Sequence, residues 1–101
     1  MIKVLYGVNK DGNYNYLKAN GHAEYDIQGK DLICSAVSSI IVGFMNALDE
    51  FDNIEFKQLT NEYEIKINND SNVIQNYFDL VLTQLKTIEE SYSQFIKIER
   101  K

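Results

Sequence analysis

The hydrophobic pattern of this chain changes period several times, and these changes constrain the fold more than any other feature. In residues 2–8 apolar and other side chains alternate with a period of two, which is typical of a β-strand. The Asp11-Gly12 pair that follows is a strong turn signal. Residues 14–20 are therefore predicted to be the returning strand of a hairpin, and that strand ends at Gly21.

Two longer stretches show helical spacing instead. In residues 32–51 the apolar positions cover a broad face, which predicts a largely buried helix. Asp31 precedes this stretch and belongs to a residue type that caps helix N-termini, so we predict that the helix starts after it. Residues 23–30 show little periodicity, Gly29 closes the segment, and we interpret it as a loop. A second amphipathic helix is predicted for residues 73–92.

Three further alternating segments, residues 54–57, 63–67 and 94–99, predict strands. The element order is then β-β-α-β-β-α-β. Because hairpins imply antiparallel pairing, we predict a two-layer α+β fold with a mostly antiparallel sheet and two long helices on one face. The 101 residues suffice for one domain, residues 1–101. The exposed sheet edges and the surplus of apolar surface on the first helix favour a homodimer.

The acidic net charge of the chain indicates which classes of macromolecule it can bind. The net charge is −5 and no basic stripe is present, so direct nucleic-acid binding is disfavoured, whereas a basic protein would suit the acidic surface. No apolar run reaches transmembrane length and the chain starts with a strand pattern rather than a signal peptide, so we expect no membrane association. A single cysteine cannot form an internal disulfide. We therefore expect a cytoplasmic protein with a reduced thiol.

The candidate chemistry lies between the first hairpin and the first helix. His22 is the only histidine and Cys34 the only cysteine, and twelve positions separate them. With Asp31 as the cap, Cys34 would lie in the first helical turn, where unpaired backbone N–H groups and the helix dipole favour a thiolate. The intervening loop is long enough to bring His22 alongside as the base.

Other interpretations of these residues remain open at this point. Asp31 either caps the helix or orients His22 as a third triad member does. Ser38, one turn after Cys34, either bonds the histidine, the thiol or the substrate, or it bonds the carbonyl of Cys34 within the helix. Cys34 itself is compatible with an ordinary core position. One histidine and one cysteine supply too few ligands for a zinc site, so no metal or cofactor is predicted.

The same segment resembles the Prp family, the ribosomal-processing cysteine proteases of Firmicutes and their relatives. Chain length, the strand at the start and the helix after the cysteine also agree with that family. The resemblance is carried by Gly21-His22-Ala23, Gly29, Asp31 and Cys34-Ser35-Ala36-Val37-Ser38 and by the intervals between them.

The resemblance implies a cysteine endopeptidase with Cys34 as the nucleophile and His22 as the general base. Members of the family remove a short N-terminal extension from a large-subunit ribosomal protein precursor during ribosome maturation, and they are homodimers. Their substrate loop would here be residues 23–30, with Gly21 at its start and Ala23 and Gly29 within it. Physical reasoning adds the backbone N–H groups of Cys34 and Ser35 as candidate oxyanion donors, because they would lie at the start of the helix.

Two non-catalytic hypotheses compete with the protease. In the first, the chain is a dimeric binding or ribosome-assembly module in which Cys34 is structural. In the second it is an RNA-binding assembly factor, but the chain lacks the aromatic and basic surface that such proteins use. The protease hypothesis requires that the Cys34 sulfur be reachable and not sealed within the core.

Overall fold

The computed structural model describes the backbone of residues 1–21 and 28–101, and the side chains of residues 1–21 and 32–101. Five strands and two helices follow one another in the predicted order. Their bounds are β1 (Ile2–Val8), β2 (Tyr14–Asn20), α1 (Gln28–Leu48), β3 (Ile54–Leu59), β4 (Glu62–Ile67), α2 (Asn72–Ser91) and β5 (Ile96–Arg100).

The strands form one sheet in the spatial order β3-β4-β2-β1-β5. Every pairing is antiparallel except that of β5 with β1, which is parallel, so the prediction of a mostly antiparallel sheet is confirmed. The register places Val4 opposite Ala19 and Leu17 opposite Ile65. Because strand side chains alternate between faces, this register gathers the apolar residues of β1, β2 and β4 on a single face.

Both helices pack on that apolar face and complete the second layer. The rings of Phe44 on α1 and Phe78 on α2 meet edge to face, with their centroids 5.4 Å apart, and both side chains are buried. The most deeply buried side chains come from both layers, and they are Phe78, Leu17, Ile41, Leu48, Ile65, Ile74, Leu85, Ile96 and Val4. Burial of each large apolar side chain contributes about 1.5–3 kcal/mol, so this shared core determines how the helices lie on the sheet.

The other face of the sheet is polar. The Lys18 ammonium lies 3.5 Å from the Glu62 carboxylate across the β2–β4 pair. The Tyr16 hydroxyl donates a 2.5 Å hydrogen bond to Glu64 on the same face. This bond is the largest cause of the lowered pKa of Glu64, while burial followed by the same bond raises the pKa of Tyr16 to about 12.

The predicted start of α1 is wrong. The helix begins at Gln28, so Gly29 and Lys30 are helical rather than part of a loop, and Asp31 is the fourth helical residue rather than the N-cap. A glycine within a helix costs only about 1 kcal/mol relative to alanine, too little to stop the helix. The chain also contains no proline, so no missing N–H or ring clash interrupts α1 ahead of Asp31.

Bounds elsewhere also differ from the predictions by one to three residues. Strand β3 extends to Leu59 rather than residue 57, β4 begins at Glu62 rather than residue 63, and α2 covers residues 72–91 rather than 73–92. Helix α1 ends at Leu48 and not near Phe51, whose N–H bonds the Leu48 carbonyl in the turn that follows. Strand β5 lies at 96–100 rather than 94–99, because its parallel register with β1 pairs Ile96 with Ile2. None of the helices in the described ranges is long and apolar enough to span a membrane.

Candidate active site

A small cleft opens where β2 ends and the β3–β4 turn approaches α1. Its volume is about 130 Å³. Strands, helix and turn all contribute to its walls, which mix apolar and polar side chains. The lining residues are Ile2, Ala19, Asn20, Gly21, Cys34, Val37, Ser38, Asn61 and Tyr63.

Helix α1 presents Cys34 to this cleft from the border of the core. Its helical neighbours Ile33 and Val37 are buried, with 3% and 4% of their surface exposed, whereas Leu32 is 70% exposed. Cys34 lies between these extremes and is half-buried, with its thiol free of any disulfide. Ser38 lies one helical turn further on, is also half-buried, and lines the same cleft. The structure therefore brings Cys34 and Ser38 together, as predicted from their spacing.

The end of β2 forms the opposite wall at Gly21. This glycine has a φ of +105°, in the region that other residues rarely adopt. A Cβ atom there would also overlap the carbonyl oxygen of Met1, so no larger residue fits without movement of the backbone. The Gly21 N–H donates a 3.2 Å hydrogen bond to the carbonyl of Asn61. The chain is thus held firmly at the residue that precedes His22.

Several predicted site residues lie partly or wholly outside the described part of the chain. His22 lies outside the described residues, as does the first portion of the predicted substrate loop, residues 23–27, which includes Ala23. Gly29 and Asp31 are described only as backbone within α1. The structure thus describes one side of the predicted dyad, Cys34.

The revised start of α1 changes the surroundings of Cys34. As the seventh residue of the helix, Cys34 lies beyond the first turn, and so does the exposed Ser35. Backbone N–H groups beyond the first turn bond to carbonyls four residues earlier. The oxyanion role of the Cys34 and Ser35 N–H groups therefore stays a prediction, although its premise, that these groups lie at the start of the helix, is wrong.

Asn61 and Tyr63 are cleft residues that the sequence analysis did not single out. Asn61 follows β3 in a tight turn and adopts the left-handed conformation, with a φ of +66°. In the sequence, the Thr60-Asn61 pair indicates only a turn, and the alternation around Tyr63 indicates only a strand, so neither pattern points to a neighbouring helix. Within the described ranges, no group of three or more His, Cys, Asp or Glu residues is arranged to hold a metal ion.

Comparison with known proteins decides the family. The sequence model of the cysteine protease Prp family matches residues 1–97. The chain belongs to this family. The ribosomal processing cysteine protease Prp of Mycoplasma genitalium is 37% identical over 86 residues, which covers 83% of this chain and 86% of that protein. The Prp of Staphylococcus aureus strain Mu50 is 27% identical over 106 residues and covers both chains completely.

Solved structures agree with this family assignment. The S. aureus Prp in complex with a substrate peptide superimposes with a TM-score of 0.89 at 24% identity over the full length of both chains. The S. aureus Prp with a covalently linked product peptide gives a TM-score of 0.84 at 25% identity, again over both full chains. The fold is shared throughout, and the protein is a cysteine protease.

Proposed function

We propose that this chain is an endopeptidase that removes the N-terminal extension of a large-subunit ribosomal protein precursor, with Cys34 as nucleophile and His22 as general base. The observation that carries the proposal is the position of Cys34. It is the only cysteine of a cysteine protease, and it lines an open cleft rather than lying sealed in the core. Relatives named as ribosomal processing proteases support the class of substrate.

The reaction follows from the chemistry of a thiol and an imidazole. His22 takes the proton from the Cys34 sulfur, and the thiolate attacks the scissile carbonyl carbon to give a tetrahedral oxyanion. When that intermediate collapses, the C–N bond breaks and His22 delivers the proton to the leaving amine. Water then attacks the resulting thioester with His22 again as base, which releases the carboxylate of the extension and restores the thiol.

Asp31 and Ser38 have supporting roles in this proposal. Because Gln28 starts the helix, Asp31 does not cap it, and we assign its carboxylate to orienting the His22 imidazole. The spacing of three positions between Asp31 and Cys34 is one at which residues of a helix are neighbours. Ser38 lines the cleft with Cys34, which supports a role in bonding the thiol, the imidazole or the substrate.

The charge of the chain is consistent with a ribosomal protein as substrate. Ribosomal proteins are basic because they bind RNA, and a net charge of −5 favours their approach. We extend the proposal to a substrate segment lying over Gly21 and Ala23, to a homodimer, and to a cytoplasmic location. These three elements rest on the family resemblance and on the composition of the chain.

The direct test incubates the protein with the extended precursor and measures product masses. We expect two products whose masses sum to that of the precursor plus one water. Cys34→Ala and His22→Ala should each lower the cleavage rate by at least about 10³-fold, because the two residues act as a unit. Ser39→Ala is the matched control, since Ser39 is exposed on the outer side of the same helix. It should cleave at the normal rate.

Two outcomes would contradict the proposal in different ways. Full cleavage by Cys34→Ala would remove the nucleophile assignment and leave the substrate assignment standing. If instead the unmodified protein binds the precursor without cutting it, and Cys34→Ser only lowers the free energy of unfolding, the non-catalytic assembly module would be the better description.

A further inference from the structure

The strand end beside the cleft is held by one backbone contact with a neighbouring turn. The Gly21 N–H donates to the Asn61 carbonyl at 3.2 Å, and both residues line the cleft that contains Cys34. Gly21 is the last described residue before His22. The contact therefore fixes the backbone directly before His22, the proposed base.

The direction of the Asn61 carbonyl depends on the conformation of that residue. Asn61 has a φ of +66°, and asparagine and glycine adopt this left-handed region far more readily than other residues. A residue that disfavours the region would rotate the peptide plane and turn the carbonyl away from Gly21. The identity of residue 61 thus acts through the backbone and not through a side-chain contact.

We propose that Asn61 is a positioning residue of this protease. Its left-handed backbone aims a carbonyl at Gly21 and so holds the strand end that directly precedes His22, the residue to which the proposed function assigns the role of base toward Cys34. The inference rests on the proposed role of His22 as base. It adds a residue from the β3–β4 turn to a reaction otherwise assigned to the segment 21–38.

The chain offers a matched control at the other end of β3. Asn53 also has a positive φ, 64°, and its carbonyl also accepts a backbone N–H, that of Asn68, at 2.9 Å. Strand β3 separates Asn53 from the Asn61 turn by about 20 Å, because a strand rises about 3.3 Å per residue. The two asparagines have the same conformation and the same kind of contact, but only Asn61 lines the cleft.

The experiment compares alanine and glycine at both positions. For Asn61→Ala we expect kcat to fall about tenfold while KM changes less than about twofold, because the base is displaced rather than the substrate. The acidic limb of the pH profile of kcat/KM should shift as well. Asn61→Gly should have the normal kcat and the normal pH profile, since glycine keeps the left-handed conformation without the side chain. Asn53→Ala should lower the Tm to a similar extent but leave kcat and the pH profile unchanged.

The outcomes separate this inference from the proposed function. If Cys34→Ala and His22→Ala abolish cleavage but Asn61→Ala retains normal kcat and pH profile, the positioning role is wrong and the protease proposal stands. If Asn61→Gly loses as much activity as Asn61→Ala, the side chain and not the backbone conformation matters, which also overturns the inference. Unaltered cleavage by His22→Ala would instead contradict the proposed base.

Discussion

The two ends of the sheet use the same backbone devices for different purposes. Each end has one glycine and one asparagine with positive φ, and the asparagine carbonyl accepts an N–H from a neighbouring segment. These residues are Gly21 and Asn61 at one end, and Gly12 and Asn53 at the other. At the Gly21 end these devices surround the cleft that holds Cys34. At the Gly12 end they close the β1–β2 hairpin and the connection into β3. Backbone conformation alone therefore does not distinguish a candidate active site from an ordinary turn. The two ends differ in that a reactive side chain, Cys34, lies beside only the first of them.

The largest difference in stability between the two ends is expected when each glycine is replaced by alanine. Gly21→Ala combines a positive φ with overlap against the Met1 carbonyl, whereas nothing lies within 4 Å of a Cβ built on Gly12. We expect Gly21→Ala to lower the free energy of unfolding by more than about 2 kcal/mol, and Gly12→Ala by about 1 kcal/mol, because only the backbone strain is common to both. Urea unfolding of the two variants measures this.

Activity separates the glycines further. Gly21→Ala should lose most of its cleavage at a temperature where it is still folded, because the displaced strand end carries His22. Gly12→Ala should cleave normally. If the two variants lost the same stability and kept the same activity, the crowding at Gly21 would have no effect on either property, and this prediction would be wrong.

A smaller effect is expected from a polar contact at the Gly12 end. The Gln75 side chain on α2 accepts the Tyr14 N–H at 2.6 Å and donates to the Tyr14 carbonyl at 3.0 Å. Gln75→Ala leaves both backbone groups of this half-buried residue without their partner, which costs about 1–2 kcal/mol of unfolding free energy. Thermal unfolding should record the loss while kcat for precursor cleavage is unchanged. A fall in kcat would mean that the two ends are mechanically coupled.

Much of the fold could be predicted from the sequence because its signals are local. The period-two alternation of β1, the turn signal before β2 and the helical spacing of α2 predicted the positions of these elements to within a residue or two. The start of α1 could not be predicted in this way. Asp31 is chemically suited to an N-cap, and Gly29 weakens a helix, but neither stops one when preceding residues can continue it.

The site was predicted less completely than the fold. Cys34 and Ser38 share a cleft because their spacing of four places them on one helical face, a property of the sequence alone. Asn61 and Tyr63 join them through the pairing of β4 with β2, which places Tyr63 opposite Ala19. Such a contact between residues more than forty positions apart leaves no local pattern to read, so these two residues could be found only in the folded structure.

The smallest expected effect concerns the hydroxyl of Tyr14, near the Gly12 hairpin. This hydroxyl donates a 2.6 Å hydrogen bond to Asp79, and that bond, followed by burial and the Asp79 charge, raises the pKa of Tyr14 from its ordinary value of 10 to about 12. Between these pH values the unfolded chain has lost the proton and the folded chain has kept it, so stability falls as the pH rises. Tyr14→Phe keeps the ring stacked on Phe78, with centroids 4.4 Å apart, and removes only the hydroxyl.

For Tyr14→Phe we therefore expect a loss of about 1 kcal/mol or less at pH 7, since the exposed Asp79 regains water as its partner. Between pH 10 and pH 12 the free energy of unfolding should decline less steeply than in the unmodified protein. Urea unfolding at pH 7 and at pH 11 measures both quantities.

Tyr16→Phe removes the bond to Glu64. It should also make the free energy of unfolding decline less steeply at alkaline pH, because the pKa of Tyr16 is raised as well. An unchanged alkaline slope in Tyr14→Phe would mean that the bond to Asp79 does not raise the pKa of Tyr14. If Tyr14→Phe changed kcat at neutral pH, the Gly12 end of the sheet would influence the cleft, and the two ends would not be functionally independent.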